Sequence, residues 1–279
     1  MMKFGTLVRI PDVSLAEISS ACDAKFGKLQ EMHMDACQLV YKPVVYTNAA
    51  ADLIRNKATA YGIDLSAQFC GYYDTYCLWD DQFDHYLAGL NSPIFGASRI
   101  EYLLSAIPFM QRVGIQDMIV HAGFLSNNPY DPKYTRMVAC VRLLGGRLKD
   151  AGMNLLFETG GESPITLLRM FHDTGLDNLF VNLDTANLIT SGFGNPVDAL
   201  YTYGRYVRNM HAKDGMPPVQ PGVLGTQVSI GTGYVDFPRV FQELRKLGYD
   251  RYVIIECEVQ NIDHEQEIIQ ALAYLKTLL

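Results

Sequence analysis

The chain has 279 residues, of which 49% are hydrophobic, so it can bury a full core and is too apolar for a disordered protein. Acidic residues outnumber basic ones by 30 to 23, and Lys and Arg form no cluster, which argues against a nucleic-acid partner. The N-terminus lacks the apolar stretch of a signal peptide, and no window is apolar enough to span a membrane. We therefore expect a cytoplasmic protein without membrane contact, whose six dispersed cysteines stay reduced.

Short strand-like runs alternate with longer amphipathic segments along the whole chain. Eight runs have the composition of strands: Phe4–Val8, Leu29–Met34, Ile63–Gly71, Asp117–Ala122, Asn154–Glu158, Leu179–Asp184, Tyr206–His211 and Tyr252–Glu256. Helix-like stretches lie between them, among them Leu15–Cys22, Ile100–Val113, Tyr134–Lys149, Ile165–Asp173 and Phe237–Leu247. A glycine follows four helical patterns, where a left-handed cap favours the residue without a Cβ: Gly114, Gly152, Gly175 and Gly248.

This alternation predicts the fold class. Dividing 279 residues by eight gives about 35 residues per unit, which is typical of an α/β protein with a (β/α)8 barrel, folded as one domain over residues 1–279. A doubly wound sheet is the alternative. However, the first strand, Phe4-Gly-Thr-Leu, carries one glycine, and Gly231-Thr-Gly233 lies late in the chain, so a dinucleotide site has little support.

Four consecutive predicted strands end in a polar side chain that hydrophobic periodicity does not explain: Glu158, Asp184, His211 and Glu256. Active sites of such barrels lie at the carboxyl ends of the strands, which are about 4.8 Å apart, so these side chains can converge. Three carboxylates at one point need a cation, and three oxygen donors with one nitrogen suit Mn²⁺, Mg²⁺ or Co²⁺, with Zn²⁺ as a further candidate. Any one of the four alone is better explained as an ordinary charged residue at a strand end, solvated or paired with a basic neighbour, whereas all four in register favour the metal site.

Five segments around these residues carry a family resemblance: Phe157-Glu158-Thr-Gly-Gly-Glu162, Asn182-Leu-Asp184-Thr-Ala-Asn187, His211-Ala-Lys213-Asp214-Gly, Gly231-Thr-Gly-Tyr-Val-Asp236 and Ile254-Ile-Glu256. They resemble the sugar phosphate isomerase/epimerase group of xylose isomerase-like TIM barrels, which includes ketose 3-epimerases, hydroxypyruvate isomerases and inosose dehydratases. The resemblance implies that the four strand-end residues bind one divalent metal, with Mn²⁺ first. It also implies that Glu158 and Glu256 exchange a proton on opposite faces of a substrate carbon, and that the protein forms homo-oligomers.

Two positions bear on the substrate. Asn187 stands where the 3-epimerases and a related zinc endonuclease usually carry a histidine. Asparagine can hydrogen-bond a sugar hydroxyl but is a poor zinc ligand, which disfavours the endonuclease and weakens the likeness to free-ketose 3-epimerases. Lys213, in a His-x-Lys-Asp sequence similar to that of sugar-phosphate epimerases and inosose dehydratases, either neutralises an oxyanion or phosphate or pairs with Asp214 or a neighbouring strand.

Further candidates for the pocket follow from position along the chain. His121 ends the fourth predicted strand and is either a substrate contact or a packed histidine. Glu31 and His33 share one face of the second predicted strand and could line the pocket. The aromatic segment Tyr72–Phe95 fits a substrate lid or an oligomer contact, and the loop Gly215–Gly233 is long enough to close the site.

Three functions remain open at this stage. The first is a metal-dependent isomerase or epimerase that moves a proton through an enediolate of a sugar or sugar phosphate. The second is a lyase or dehydratase acting on a keto-sugar or keto-inositol, in which the same enolate expels a hydroxyl group. The third is a sugar-binding barrel without turnover, suggested by Asn187.

Overall fold

The structure, a computed structural model, describes residues 1–10, 14–40, 47–71 and 89–279. Eight parallel strands form a closed barrel: β1 (Lys3–Val8), β2 (Ala36–Val40), β3 (Asp64–Cys70), β4 (Asp117–Val120), β5 (Asn154–Glu158), β6 (Leu179–Asp184), β7 (Val207–Ala212) and β10 (Tyr252–Ile255). Two short antiparallel strands between β7 and β10 form a separate hairpin: β8 (Asp214–Met216) and β9 (Thr226–Val228). The order around the barrel is β1-β10-β7-β6-β5-β4-β3-β2. The predicted (β/α)8 barrel is confirmed.

Helices connect the strands. Within the described ranges these are α1 (Leu15–Glu31), α2 (Asn48–Ala60), α3 (Gly96–Leu104), α4 (Ile107–Val113), α5 (Pro132–Asp150), α6 (Pro164–Thr174), α7 (Asn187–Thr190), α8 (Pro196–Tyr203), α9 (Phe237–Lys246) and α10 (His264–Lys276), with a 3₁₀ turn at Gly204–Tyr206. None of the described helices has the length and apolar content needed to cross a bilayer.

The second strand lies later in the chain than predicted. The first helix continues to Glu31 because four side chains form one buried stripe at helical spacing: Ile18, Cys22, Phe26 and Leu29. His33 then turns the chain with a left-handed φ of 56°, and β2 is the wholly buried run Ala36–Val40. The prediction that Glu31 and His33 lie on a pocket-facing strand is therefore wrong. Both are exposed and precede β2, at the end of the barrel opposite the predicted site.

The helix predicted over Ile100–Val113 is divided into α3 and α4. Pro108 lacks a backbone N–H and its ring would crowd the carbonyl of the residue four positions earlier, which is Leu104, the last residue of α3. The four predicted helix-ending glycines do adopt left-handed backbone angles, with φ of 87°, 73°, 73° and 71° at Gly114, Gly152, Gly175 and Gly248. The caps were therefore predicted correctly, whereas the break at Pro108 was not.

A buried ion cluster joins the strands at the amino-terminal end of the barrel. Asp117, the first residue of β4, is 3% exposed and accepts hydrogen bonds from Arg208 Nε at 2.8 Å and Asn154 Nδ2 at 2.7 Å. Its other oxygen accepts from Arg251 Nη2 at 3.1 Å. One carboxylate thus links β4 to β5, to β7 and to the residue before β10.

Side chains alternate between the helix layer and the interior of the barrel, and this alternation positions the site. Ala67, Ile119 and Leu156 form an apolar cluster separate from the main core between the strands and helices. Glu158 lies two residues beyond Leu156 on the same strand, so it faces the same side of the sheet, one step nearer the carboxyl end. On β5 the interior-facing side chains thus change from apolar Leu156 to the carboxylate of Glu158 toward the carboxyl end of the strand.

Candidate metal centre

The structure brings the four predicted strand-end side chains together. Glu158 ends β5, Asp184 ends β6, His211 lies in β7, and Glu256 follows β10, and these four strands are consecutive neighbours in the barrel. One candidate ligand atom from each residue lies within 4.8 Å of the other three, and all four residues are buried. A single cation can therefore be reached by all four side chains.

His211 stands at the centre of this group. Its Nδ1 lies 3.1 Å from Glu158 Oε1 and 3.2 Å from Glu256 Oε2, while its Nε2 lies 2.8 Å from Gln38 Oε1. Burial alone would lower the pKa of His211, but the two carboxylates outweigh it and raise the pKa to about 10. Without a metal, the protonated imidazole thus supplies positive charge to the carboxylates.

Three buried carboxylate oxygens of the group lack a hydrogen bond from the described residues: Glu158 Oε2, Asp184 Oδ2 and Glu256 Oε2. Asp184 Oδ1 accepts from the backbone N–H groups of Ala186 and Asn187 at 2.9 and 2.7 Å, but its Oδ2 has no such partner. Glu158 Oε2 likewise accepts no hydrogen bond from the described residues. These two oxygens lie at ion-pair distance from Lys213 Nζ (3.3 Å) and His121 Nε2 (3.2 Å), respectively. Because orphaned buried oxygens are costly, this donor set fits a divalent cation.

The environment shifts the two remaining carboxyl groups in opposite directions. Burial raises the pKa of Asp184 to about 7, a shift that Lys213 opposes and that the charges of Glu158 and Glu256 reinforce. Burial also disfavours ionised Glu256, but Lys213 and His211 outweigh it and hold the pKa of Glu256 below its usual range. Glu256 is therefore ionised near neutral pH, whereas the carboxyl group of Asp184 is partly protonated there.

Lys213 pairs with neighbouring strands and not with Asp214. Its Nζ lies 2.8 Å from Glu256 Oε2, 2.9 Å from Glu258 Oε2 and 3.3 Å from Asp184 Oδ2, and its side chain is only 6% exposed. The sequence left two salt-bridge partners open for Lys213, Asp214 or a residue of a neighbouring strand. The structure shows the pairing with residues of neighbouring strands. The ammonium group therefore already lies within ion-pair distance of three carboxyl groups.

A cavity of about 470 Å³ opens above the centre, a volume within the usual range for small-molecule sites. Its lining includes Glu158 and Glu256 and three of the five predicted substrate contacts, His121, Asn187 and Lys213. Of the aromatic segment Tyr72–Phe95, for which the sequence left a substrate lid and an oligomer contact open, residues 72–88 lie outside the described residues.

Asn187 is held against the candidate ligand Glu158. Its Nδ2 lies 3.5 Å from Glu158 Oε1. Gly160, with φ of 151°, makes room for it, since a Cβ at that position would lie 2.7 Å from Asn187 Cβ. The Gly-Gly pair after Glu158 thus lets the next loop pack closely against the site.

Glu162 is a pocket residue that sequence reasoning quoted within a motif but did not single out. It lines the cavity, is 5% exposed, and accepts a long hydrogen bond of 3.4 Å from the backbone N–H of Gly160. Burial raises the pKa of Glu162 to about 8, so this carboxyl carries a proton at neutral pH. The sequence signal that could have identified Glu162 is its position: it is an acidic residue directly after Gly160-Gly161, in the loop that follows the strand ending in Glu158.

Asp214 organises the loop that follows β7. Its Oδ1 accepts from the backbone N–H groups of Gly215 at 2.8 Å and Val235 at 3.1 Å, and its Oδ2 accepts from Gly231 and Gly233, both at 2.9 Å. A Cβ on Gly233 would lie 2.3 Å from Asp214 Oδ1. The Gly-Thr-Gly sequence is therefore shaped to surround a carboxylate of the protein itself.

Gln227, on the outer strand of the hairpin, attaches this loop to the candidate metal ligands. Its Nε2 donates to the carbonyl of Glu256 at 3.2 Å, and its Oε1 accepts from the backbone N–H of Glu258 at 3.0 Å. The predicted closing loop Gly215–Gly233 thus contains the β8–β9 hairpin and lies beside the cavity.

Comparison with known proteins identifies the family. The family model described as a xylose isomerase-like TIM barrel matches residues 26–278. The chain belongs to this family. This xylose isomerase-like barrel is similar to a xylose isomerase domain protein from Planctomyces limnophilus, with 27% identity, a TM-score of 0.87, and coverage of 99% of this chain and 96% of that one.

Other relatives of this xylose isomerase-like barrel carry more specific names. The fold is similar to that of 3-keto-D-glucoside 4-epimerase from E. coli, with 17% identity, a TM-score of 0.72, and coverage of 99% of this chain and 100% of that one. An inosose dehydratase from Lacticaseibacillus casei is 24% identical over 144 residues, which are 46% of this chain and 48% of that protein. The chain thus matches about half the length of that relative. The resemblance seen in the sequence is confirmed, and the relatives include both epimerases and dehydratases.

Proposed function

We propose that this protein is a divalent-metal-dependent isomerase or epimerase that moves a proton at the carbon beside the ketone of a sugar. The observation that carries the proposal is the convergence of Glu158, Asp184, His211 and Glu256 next to an open cavity. An enzyme with this chemistry also fits the epimerase and dehydratase relatives.

The four residues would hold the cation through three carboxylate oxygens and one imidazole nitrogen. Mn²⁺ is the first candidate, followed by Mg²⁺ and Co²⁺, with Zn²⁺ as a further one, because oxygen-rich donor sets favour hard cations. When bound, the cation supplies Lewis acidity, which polarises a ketone and stabilises the negative charge of an enediolate.

Glu158 and Glu256 would move the proton. They belong to the first and last of the four ligand-bearing strands, so their side chains enter the site from different parts of the barrel wall. Burial opposes ionisation of Glu158, but His121 and His211 hold its pKa below the usual range, and Glu256 is ionised as well. One carboxylate would take the proton from the substrate carbon, and the other, after receiving a proton from water in the open cavity, would deliver it to the opposite face. The first carboxylate would then release its proton to solvent, so that the enzyme returns to its starting state.

The charges around the cavity favour a sugar without a phosphate group. Lys213 is engaged by three carboxylates, so a phosphate could reach it only by displacing them. Two of these three carboxylates, Glu256 and Glu258, themselves line the cavity, and Arg9 is the other lysine or arginine among the described lining residues. We therefore narrow the substrate to a neutral ketose or keto-sugar.

A dehydratase is the second candidate, and two observations favour it. The curated relatives are inosose dehydratases. In addition, Glu162 presents a proton-bearing carboxyl to the cavity, and such a group can protonate a departing hydroxyl. Here the carbon-bound proton passes to Glu158 or Glu256, the carbon–oxygen bond of the neighbouring hydroxyl breaks, and water leaves.

The test is solvent exchange in D₂O with Mn²⁺-loaded protein and a panel of free ketoses, 3-keto-glucosides and inososes, each followed by NMR. We expect deuterium at the carbon beside the ketone, lost in Glu256→Gln but retained in Glu265→Gln, which removes an exposed carboxylate on α10. Loss of water with a new enone absorbance would assign the dehydratase instead. Binding of metal and sugar without exchange or elimination would contradict both and leave the sugar-binding barrel. A cytoplasmic location, one domain over residues 1–279, homo-oligomers and the lack of a nucleic-acid partner stay predictions.

A further inference from the structure

We propose that Gln38 is a positioning residue that fixes the tautomer and orientation of His211, so that Nδ1 is the nitrogen that binds the metal. This inference rests on the proposed metal site. Gln38 is the middle residue of β2, and both it and His211 are completely buried. Neither the family resemblance nor the strand-end pattern points to this residue.

The geometry determines which nitrogen carries the hydrogen. Gln38 Oε1 lies 2.8 Å from His211 Nε2, and a carbonyl oxygen can only accept, so Nε2 must be the protonated nitrogen. In neutral imidazole the other nitrogen then carries the lone pair. That nitrogen, Nδ1, faces Glu158 Oε1 and Glu256 Oε2 at 3.1 and 3.2 Å, where the cation would lie.

The reversed amide would have the opposite effect. If the Gln38 amide donated to Nε2, the hydrogen of neutral His211 would move to Nδ1, and the nitrogen inside the carboxylate group could not bind a metal. The Phe69 ring, with its centroid 6.0 Å from that of His211, packs beside the imidazole and restricts its rotation. Hydrogen bond and ring packing together hold the lone pair toward the site.

The energetic cost of Gln38 supports a functional role. All five residues of β2 are buried, and the other four are apolar. Gln38 Nε2 has no hydrogen-bond partner among the described residues, so the amide leaves a buried donor unsatisfied. An apolar side chain would avoid this loss, which indicates that the bond from Oε1 to His211 is what the position provides.

The experiment measures Mn²⁺ affinity by calorimetric titration of the full-length, metal-free protein. Gln38→Met keeps the length of the side chain but removes the acceptor, and we expect about a 10–100-fold loss of affinity. Gln38→Glu keeps an acceptor without a donor, so it should bind Mn²⁺ at least as tightly as wild type. The matched control is Gln68→Met, because Gln68 is equally buried on the adjacent strand and its amide donates to the carbonyl of Leu39.

A second readout reports the tautomer directly. In the ¹⁵N spectrum of Zn²⁺-loaded protein, His211, assigned by comparison with His211→Ala, should show a protonated Nε2 and a metal-bound Nδ1. A protonated Nδ1, or a folded Gln38→Met that binds Mn²⁺ as tightly as wild type, would overturn the role of Gln38 while leaving the metal site intact. Failure of wild type to bind Mn²⁺ would instead refute the proposed function, and this inference with it.

Discussion

Replacing Asp214 by asparagine should loosen the loop that flanks the candidate metal centre. The amide oxygen can still accept from Gly215 and Val235, but its NH₂ group would face the N–H donors of Gly231 and Gly233. Two hydrogen bonds to a charged acceptor are lost, each worth about 1.5–3 kcal/mol, so the total is about 3–6 kcal/mol. At about 2–4 °C per kcal/mol, the melting temperature should fall by about 6–24 °C.

The assay combines thermal unfolding of the metal-free protein with hydrogen exchange of the backbone amides of residues 215–235. Exchange should accelerate first in this loop, including at the hairpin that carries Gln227. Asp236→Asn is the matched control, because Asp236 caps α9 through one bond to Arg239 N, and asparagine caps helices equally well. The reasoning would be refuted if the free energy of unfolding of Asp214→Asn lay within about 1 kcal/mol of the wild-type value and hydrogen exchange in the loop were unchanged.

Three further substitutions test the fold and the buried charges. In Glu162→Gln, the gain in stability over wild type should grow from pH 5 to pH 8. The folded pKa of about 8 lies above an unfolded value of about 4.3, so wild type loses about 3–4 kcal/mol of stability between pH 5 and pH 8. Urea unfolding measures this, and a pH-independent difference would contradict it. Asp117→Asn breaks the buried ion cluster and should cost about 3–5 kcal/mol in the same assay, whereas a loss below about 1 kcal/mol would count against that role. Gly5→Ala should yield little folded protein by circular dichroism, because its Cβ would lie 2.1 Å from the carbonyl oxygen of Ala36, while Gly62→Ala, with open space around it, should cost only about 1–2 kcal/mol. A Gly5→Ala protein as stable as the Gly62 variant would show that β1 and β2 can separate.

The candidate ligands could be predicted because two strong local signals coincide. One polar residue at the end of a buried apolar run is ambiguous, but four in consecutive strands indicate a shared site, because βα repetition places successive strand ends side by side. Glu158 and Asp184 show this pattern clearly, and their strands are neighbours in the barrel. Helix-ending glycines were predictable for a similar reason, since the left-handed backbone selects one residue type.

The second strand was missed because two periodicities overlap. Within Leu29–Met34, residues 31–34 alternate polar and apolar side chains like a strand, yet Leu29 also completes the buried stripe of α1, and packing of that stripe prevails. The error concealed Gln38, which would have stood out as the polar residue in the buried run Ala36–Val40.

The sequence also could not predict which charged residues pair with each other. Lys213 and Asp214 are adjacent in the chain, so a pairing between them is a reasonable expectation, but successive side chains of an extended chain point to opposite sides. Lys213 faces the carboxylates of the centre, and Asp214 faces the loop. Which partner each side chain finds depends on where the fold places Asp184, Glu256 and the Gly231–Gly233 loop around these two residues.

The most direct test of the account is elemental analysis of the purified protein before and after incubation with Mn²⁺. Wild type should be compared with Asp184→Asn and His211→Ala, and with Glu265→Gln as the control. We predict about one divalent ion per chain in wild type and control, and its loss in both site variants. A wild-type protein that is free of metal and takes up no added Mn²⁺ would contradict the central claim.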